Sequence, residues 1–114
     1  MMKCWQHHDE VLAATSHLPH MLAYALVDML AQMETRREIF RFAAGGFRDF
    51  TRIASSDPKM WHDICLSNRT ELVAMLEAFG KQLETLTTAV RQSDSKTITD
   101  LFQNAKSARD KFSG

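Results

Sequence analysis

Leu72, Leu76, Phe79, Leu83, Leu86 and Val90 follow one another at steps of 4, 3, 4, 3 and 4, and a stripe of that period belongs to one face of an α-helix. The spacing predicts a helix from about residue 67 to residue 92, roughly 39 Å long at 1.5 Å per residue. Ser93-Asp94-Ser95 breaks and recaps the chain. A last helix then carries Ile98, Leu101, Phe102, Ala105, Ala108 and Phe112 on one face. The short connection makes these two helices antiparallel neighbours. Nowhere do apolar and polar residues alternate for long, and there is no Asn-Gly or Asp-Gly pair to turn a hairpin. The expected fold is all-α: one domain over residues 1–114, a helical bundle with a long central helix kinked at Pro19 and a C-terminal antiparallel helix pair.

The central helix is read from about His8 to Met33. Val11, Leu12, Ala14, Leu18, Met21, Leu22, Tyr24, Ala25, Leu26, Met29 and Leu30 cover most of its circumference beyond Pro19, the pattern of a helix inside a domain. Ala13, Ala14, Ala23, Ala25 and Ala31 let neighbouring helices approach closely. A proline in a helix interior costs about 3 kcal/mol when uncompensated. Pro19 is therefore expected to bend the helix or loosen a turn, leaving a carbonyl near residue 15 without its donor. Residues 34–42 read as a short charged helix, residues 43–46 as a loop around Gly45-Gly46, and residues 47–54 as two helical turns. Asp57-Pro58 starts a further helix, with Asp57 as N-cap.

Lys+Arg and Asp+Glu both number 14, which removes the global basic field of a nucleic-acid binder. The longest apolar run, Met21 to Val27, is far short of the roughly 20 residues of a membrane span, and residues 1–8 hold no signal-peptide core. Cys4 and Cys65 make no disulfide framework and read as free thiols. A cytoplasmic domain is expected. The central helix, the heptad stripe and seven methionines offer more apolar surface than so small a monomer easily hides. Either everything packs inside one bundle, or a partner domain or a second copy covers part of it.

Two blocks exceed the needs of a plain bundle: Ser16-His17-Leu18-Pro19-His20, and Gly45-Gly46-Phe47-Arg48-Asp49-Phe50-Thr51-Arg52. His17 and His20 straddle a proline, and with His7, His8 and Asp9 they complete no familiar metal set, so no metal is expected. A half-buried imidazole there either donates to a ligand carboxylate or keto oxygen, or is simply a satisfied core histidine. Arg52 lies among Phe47, Phe50 and Ile53, so its helix is expected to be partly buried. Its guanidinium then needs Asp49, Asp57 or a carboxylate ligand. Gly45 and Gly46 would expose backbone N–H groups beside it. Trp61 either walls a cyclic ligand or belongs to the core. Together these residues suggest a small anionic ligand.

His8-Asp9-x-Val11-x-Ala13-x-x-Ser16-His17-Leu18-Pro19-His20, then Gly45 to Ala54, then Asp57-Pro58-x-Met60-Trp61-x-Asp63-Ile64 resembles, over residues 8–112, the C-terminal helical domain of prephenate dehydrogenases and the related arogenate and cyclohexadienyl dehydrogenases. The resemblance implies a parent enzyme whose N-terminal Rossmann domain binds NAD or NADP and supplies the catalytic histidine. This chain would contribute no catalytic residue, bind no cofactor and be inactive alone. In the whole enzyme a hydride leaves the ring carbinol carbon as the ring carboxylate departs as carbon dioxide and the ring aromatises. Carried over by position, His20 would contact the substrate side chain and His17 would support it. Arg52 would clamp a carboxylate, Gly45 and Asp49 would shape the pocket wall, and Trp61 would pack near it. Asp9 looks like a helix-cap or domain-contact residue. Ala43-Ala44 departs from the glycine or proline of many relatives, which leaves the shape of that loop open. The implied partners are a second copy in a homodimer, prephenate or arogenate as substrate, and tyrosine as a feedback inhibitor. A different class of function, a stand-alone regulatory module that binds tyrosine, would instead predict tight tyrosine binding by this chain in isolation.

Overall fold

The computed structural model describes residues 2–112, with side chains from His7 onward; the Cys4 side chain lies outside the described residues. Every regular element among them is helical, as the periodicities predict. Helix α1 (Met2–Leu12), a π-helical turn (Ala13–His17) and α2 (Leu18–Ala31) follow without a break. The irregularity expected at Pro19 thus lies one turn earlier. The Leu18 N–H bonds to the Ala13 carbonyl, five residues back. A proline has no N–H to give to the i−4 carbonyl, and a widened turn before it absorbs the missing bond. Pro19 itself then falls in the first turn of α2, where an N–H is not needed.

The charged segment forms α3 (Arg36–Arg41). The expected loop at residues 43–46 shrinks to Ala43-Ala44, because Gly45 and Gly46 open α4 (Gly45–Thr51), with the Arg48 N–H on the Ala44 carbonyl at 3.0 Å. The first N–H groups of a helix have no intrahelical partner, so weak helix formers are tolerated best there. A 3₁₀ turn (Arg52–Ser55) follows, then α5 (Pro58–Ser67), whose N-cap Asp57 accepts from the Lys59 N–H at 3.1 Å. Helix α6 runs over Arg69–Arg91 and α7 over Ser95–Phe112.

The chain divides into two compact units, Met1–Leu76 and Glu77–Gly114. In the first, α2 packs against α3, α4 and the 3₁₀ turn, and the Tyr24 hydroxyl donates to the Ser56 carbonyl at 2.7 Å. Ala13 and Ala23 are fully buried, and Trp61 and Leu72 are 7% and 3% exposed. Of the five alanines expected at close helix contacts, Ala13 and Ala23 serve as such, whereas Ala14, Ala25 and Ala31 face solvent.

The second unit is an antiparallel hairpin. Gln82 and Thr85 on α6 line one groove with Leu101, Asn104 and Ala105 on α7. Its turn has Ser93 in the left-handed region (φ 53°), and the Asp94 N–H reaches back to the Ala89 carbonyl at 2.8 Å, the closure of a Schellman-type helix end. Asp94 then caps α7 by accepting from the N–H (3.1 Å) and hydroxyl (2.6 Å) of Thr97. Those two bonds hold its carboxyl below the usual carboxylate range. Val90, Phe102 and Phe112 remain 60%, 56% and 74% exposed, so the apolar stripe that predicts the helix is only partly covered within the chain.

Candidate functional site

The π turn and the start of α2 set His17 and His20 three residues apart, and α5 brings Trp61 against both. The His20 imidazole stacks on the indole with ring centroids 3.8 Å apart and planes 19° apart. His17 meets the same indole edge-on, at 5.9 Å and 79°. Trp61 is accordingly a core residue that carries both imidazoles. Among the described residues its buried Nε1–H meets no acceptor, a cost of about 1–3 kcal/mol that the flanking rings and the burial of the indole offset.

Each imidazole is held by a different partner. His20 Nδ1 lies 2.8 Å from the Ser16 carbonyl, and a carbonyl only accepts, so Nδ1 carries the proton and neutral His20 presents Nε2 as an acceptor. His17 has the opposite arrangement. Asn68 Nδ2 donates to the Asp9 carbonyl at 3.0 Å and lies 3.2 Å from His17 Nδ1. The carbonyl fixes which amide atom is nitrogen, and that nitrogen has a second hydrogen for the imidazole. His17 Nδ1 therefore accepts, and its Nε2 carries the proton. Burial and the neighbouring His20 lower the His17 pKa from its ordinary value near 6.5, against an opposing pull from Asp9. Loss of a proton is favoured when the charged ring is partly desolvated and sits beside another imidazole.

Asn68 is positioned by its own backbone. It ends α5 by donating to the Ile64 carbonyl and starts α6 by accepting from Leu72, both at 3.0 Å. Sequence reading passed over it, although a polar residue at a helix stop was a signal in hand. Tyr24 enters the sequence only as part of an apolar pattern, and nothing local signals the close approach of the Cys65 thiol to the Met21 sulfur at 3.2 Å. Cys65 is a free, half-buried thiol. Met21, Tyr24, Pro58, Trp61, His62 and Cys65 line a shallow, almost wholly apolar depression of about 250 Å³.

The remaining candidates lie on the neighbouring segment. Arg52 opens the 3₁₀ turn packed against α2, and the segment is partly buried as expected, with Phe47, Thr51, Ile53 and Ala54 half-buried. Arg52 itself is on the exposed side, as is Phe50 at 44%. Among the described residues Arg52 has no hydrogen bond or ion pair, and neither Asp49 nor Asp57 serves it. Gly45 and Asp49 on α4 are also exposed, and a Cβ on Gly45 or Gly46 would meet nothing within 4 Å. His17, His20 and Trp61 are thus joined by direct contact, while Gly45, Asp49 and Arg52 occupy the α4–3₁₀ segment on the same helix α2. Among the described residues no three histidine, cysteine or carboxylate side chains converge on a common point for a metal.

Comparison with known proteins agrees on one family. The family described as "Prephenate dehydrogenase, dimerization domain" matches residues 5–104. A cyclohexadienyl dehydrogenase of Zymomonas mobilis is 43% identical over 106 residues, which is 91% of this chain and 36% of that protein. The solved prephenate dehydrogenase of A. aeolicus, in complex with hydroxyphenyl propionate and NAD+, aligns at 39% identity and a TM-score of 0.85 over 93% of this chain and 37% of its own. Synechocystis arogenate dehydrogenase aligns at 27% identity and a TM-score of 0.87, over 93% and 39%. The chain spans little more than a third of the length of these relatives.

Proposed function

This chain belongs to the prephenate dehydrogenase dimerization-domain family, and we propose that it is the substrate-binding and dimerising part of an enzyme that oxidatively decarboxylates prephenate or arogenate for tyrosine biosynthesis in the cytoplasm. The match over residues 5–104 is the observation that carries this reading. The chemistry of the site supports it. An exposed guanidinium with no partner among the described residues suits bidentate contact with a carboxylate, and a stacked indole–imidazole pair suits a flat cyclic substrate.

The surface supports dimerisation. Met29, Val90, Phe102 and Phe112 are each more than half exposed. A second copy covering such residues removes apolar surface from water. No helix among the described residues is long and apolar enough to cross a membrane.

NAD or NADP belongs to the proposed reaction. The described residues contain no strand leading into a glycine-rich helix N-terminus, the arrangement that cradles a dinucleotide. In this reading the nucleotide and the hydride chemistry lie outside these residues, and this chain holds and orients the substrate. Tyrosine, with a similar ring and a carboxylate, acts as a competing ligand at the same site. The test is turnover of prephenate and arogenate by the whole protein with NAD+ or NADP+, repeated with Arg52→Ala. Loss of a charge-assisted carboxylate contact costs about 2–4 kcal/mol, so KM should rise some thirtyfold or more while the fold survives. No turnover of either substrate overturns the reading, and a KM within twofold of wild type removes Arg52 from the site.

A further inference from the structure

We propose that Asn68 is a positioning residue that fixes His17 as its Nε2–H tautomer, so that neutral His17 offers the substrate a hydrogen-bond donor where neutral His20 offers an acceptor. The proposal rests on the reading of the His17–His20–Trp61 cluster as the substrate site. It follows from counting hydrogens. The Asn68 amide nitrogen has two, the Asp9 carbonyl at 3.0 Å takes one, and the His17 Nδ1 lone pair at 3.2 Å takes the other. A protonated Nδ1 in that place would set N–H against N–H. His20 is held the other way round by the Ser16 carbonyl at 2.8 Å.

Two imidazoles against one indole thus carry opposite polarity at their free nitrogens, and each polarity is imposed by a neighbour rather than left to solvent. An anionic oxygen pairs with the donor edge of His17 and is refused by the lone pair of neutral His20, whereas a ligand hydroxyl can donate to that lone pair. The pair therefore discriminates between substrate oxygens without needing a charged ring. Asn68 also ties the end of α5 to α1 through the Asp9 carbonyl, beside a His17 ring that lies edge-on to Trp61. The charged or titratable groups acting on His17 are Asp9 on α1 and His20 on α2, and the α5–α6 junction faces it with the neutral Asn68 amide.

The experiment is ¹⁵N NMR of the histidine-labelled whole protein at pH 8, assigned with a His17→Gln variant, beside the steady-state kinetics of Asn68→Asp and Asn68→Ala. In wild type, His17 Nδ1 should give the signal of an unprotonated ring nitrogen and Nε2 that of a protonated one. Asn68→Asp replaces a donor by an acceptor, so the two signals should exchange, and KM for the substrate should rise roughly tenfold for one lost hydrogen bond to a charged group with kcat changing far less. Asn68→Ala should give mixed tautomers and a smaller rise, which covers the case in which the aspartate variant folds poorly. A wild-type His17 protonated at Nδ1, or tautomers unmoved in both variants, overturns the proposal whatever the substrate. Exchanged tautomers with an unchanged KM overturn the substrate role of the donor. A wild type that turns over neither prephenate nor arogenate defeats the functional reading instead, and the NMR comparison still decides the role of Asn68.

Discussion

The two compact units of this chain use helix in opposite ways. Glu77–Gly114 is regular: a heptad face, a Ser93-Asp94 turn and a capped return helix, with Val90, Phe102 and Phe112 more than half exposed. Met1–Leu76 is irregular, with a π turn before a proline, a 3₁₀ segment, an indole between two histidines and an asparagine bridging three elements. Regularity states an element clearly but brings little side-chain chemistry to one place. Departures from it gather polar atoms with fixed donors and acceptors, and the candidate site lies among them.

That contrast is most easily broken by truncating an aromatic ring in each unit. Trp61→Ala should cost about 3–5 kcal/mol, the range for a buried aromatic, measured by denaturant unfolding of the whole protein. Phe102→Ala should cost only about 1 kcal/mol, since more than half of the ring already meets water. Equal losses would mean that the hairpin is packed as tightly as the first unit, as when a second copy covers it. A loss for Phe102→Ala that depends on protein concentration would identify that case.

Comparable with the Phe102 loss is that of the cap of the helix that carries Trp61. Asp57→Ala removes the acceptor of the Lys59 N–H and should cost about 1 kcal/mol, with Asp57→Asn recovering most of it. The smallest effect is titration. The folded pKa of His17 is lowered, so the unfolded chain binds its proton more readily and the associated stability is complete above the ordinary value near 6.5. It is lost as pH falls from there through the folded pKa. Unfolding midpoints should therefore decline between pH 7 and pH 5, and His17→Gln should flatten that part of the profile. An unchanged profile would mean that His17 is not held neutral by its surroundings.

These particulars show what the sequence carried. The Leu72–Val90 spacing, the Asp57-Pro58 start and the Ser93–Ser95 stop are local signals, and each marks its element because a helix face and a helix cap are set within a few residues. Gly45-Gly46 misled for the same reason. A glycine pair reads as a loop by propensity, yet the first turn of a helix tolerates it, and the open space around both residues shows no close approach that requires them. Arg52 was singled out by its apolar neighbours, and its exposure depends on how far that segment turns inward, which no local pattern encodes. The stacking of His20 on Trp61 spans 41 residues and the Asn68–His17 contact 51. Contacts of that reach depend on the packing of α1, α2 and α5 together, so only the resemblance to a family could bring His20 and Trp61 to one site, and it did not reach Asn68.

If the proposed activity holds, the most direct measurement is the KM of the whole protein for prephenate after His20→Ala, with near-ultraviolet circular dichroism as a check on aromatic packing. If the imidazole stacked on the indole forms part of the substrate site, KM rises roughly tenfold or more while the fold signal from the rest of the protein is retained. A KM within twofold of wild type, in a variant that folds, would make His20 a packing partner of Trp61 and nothing more, and would remove the histidine–tryptophan cluster from the substrate site.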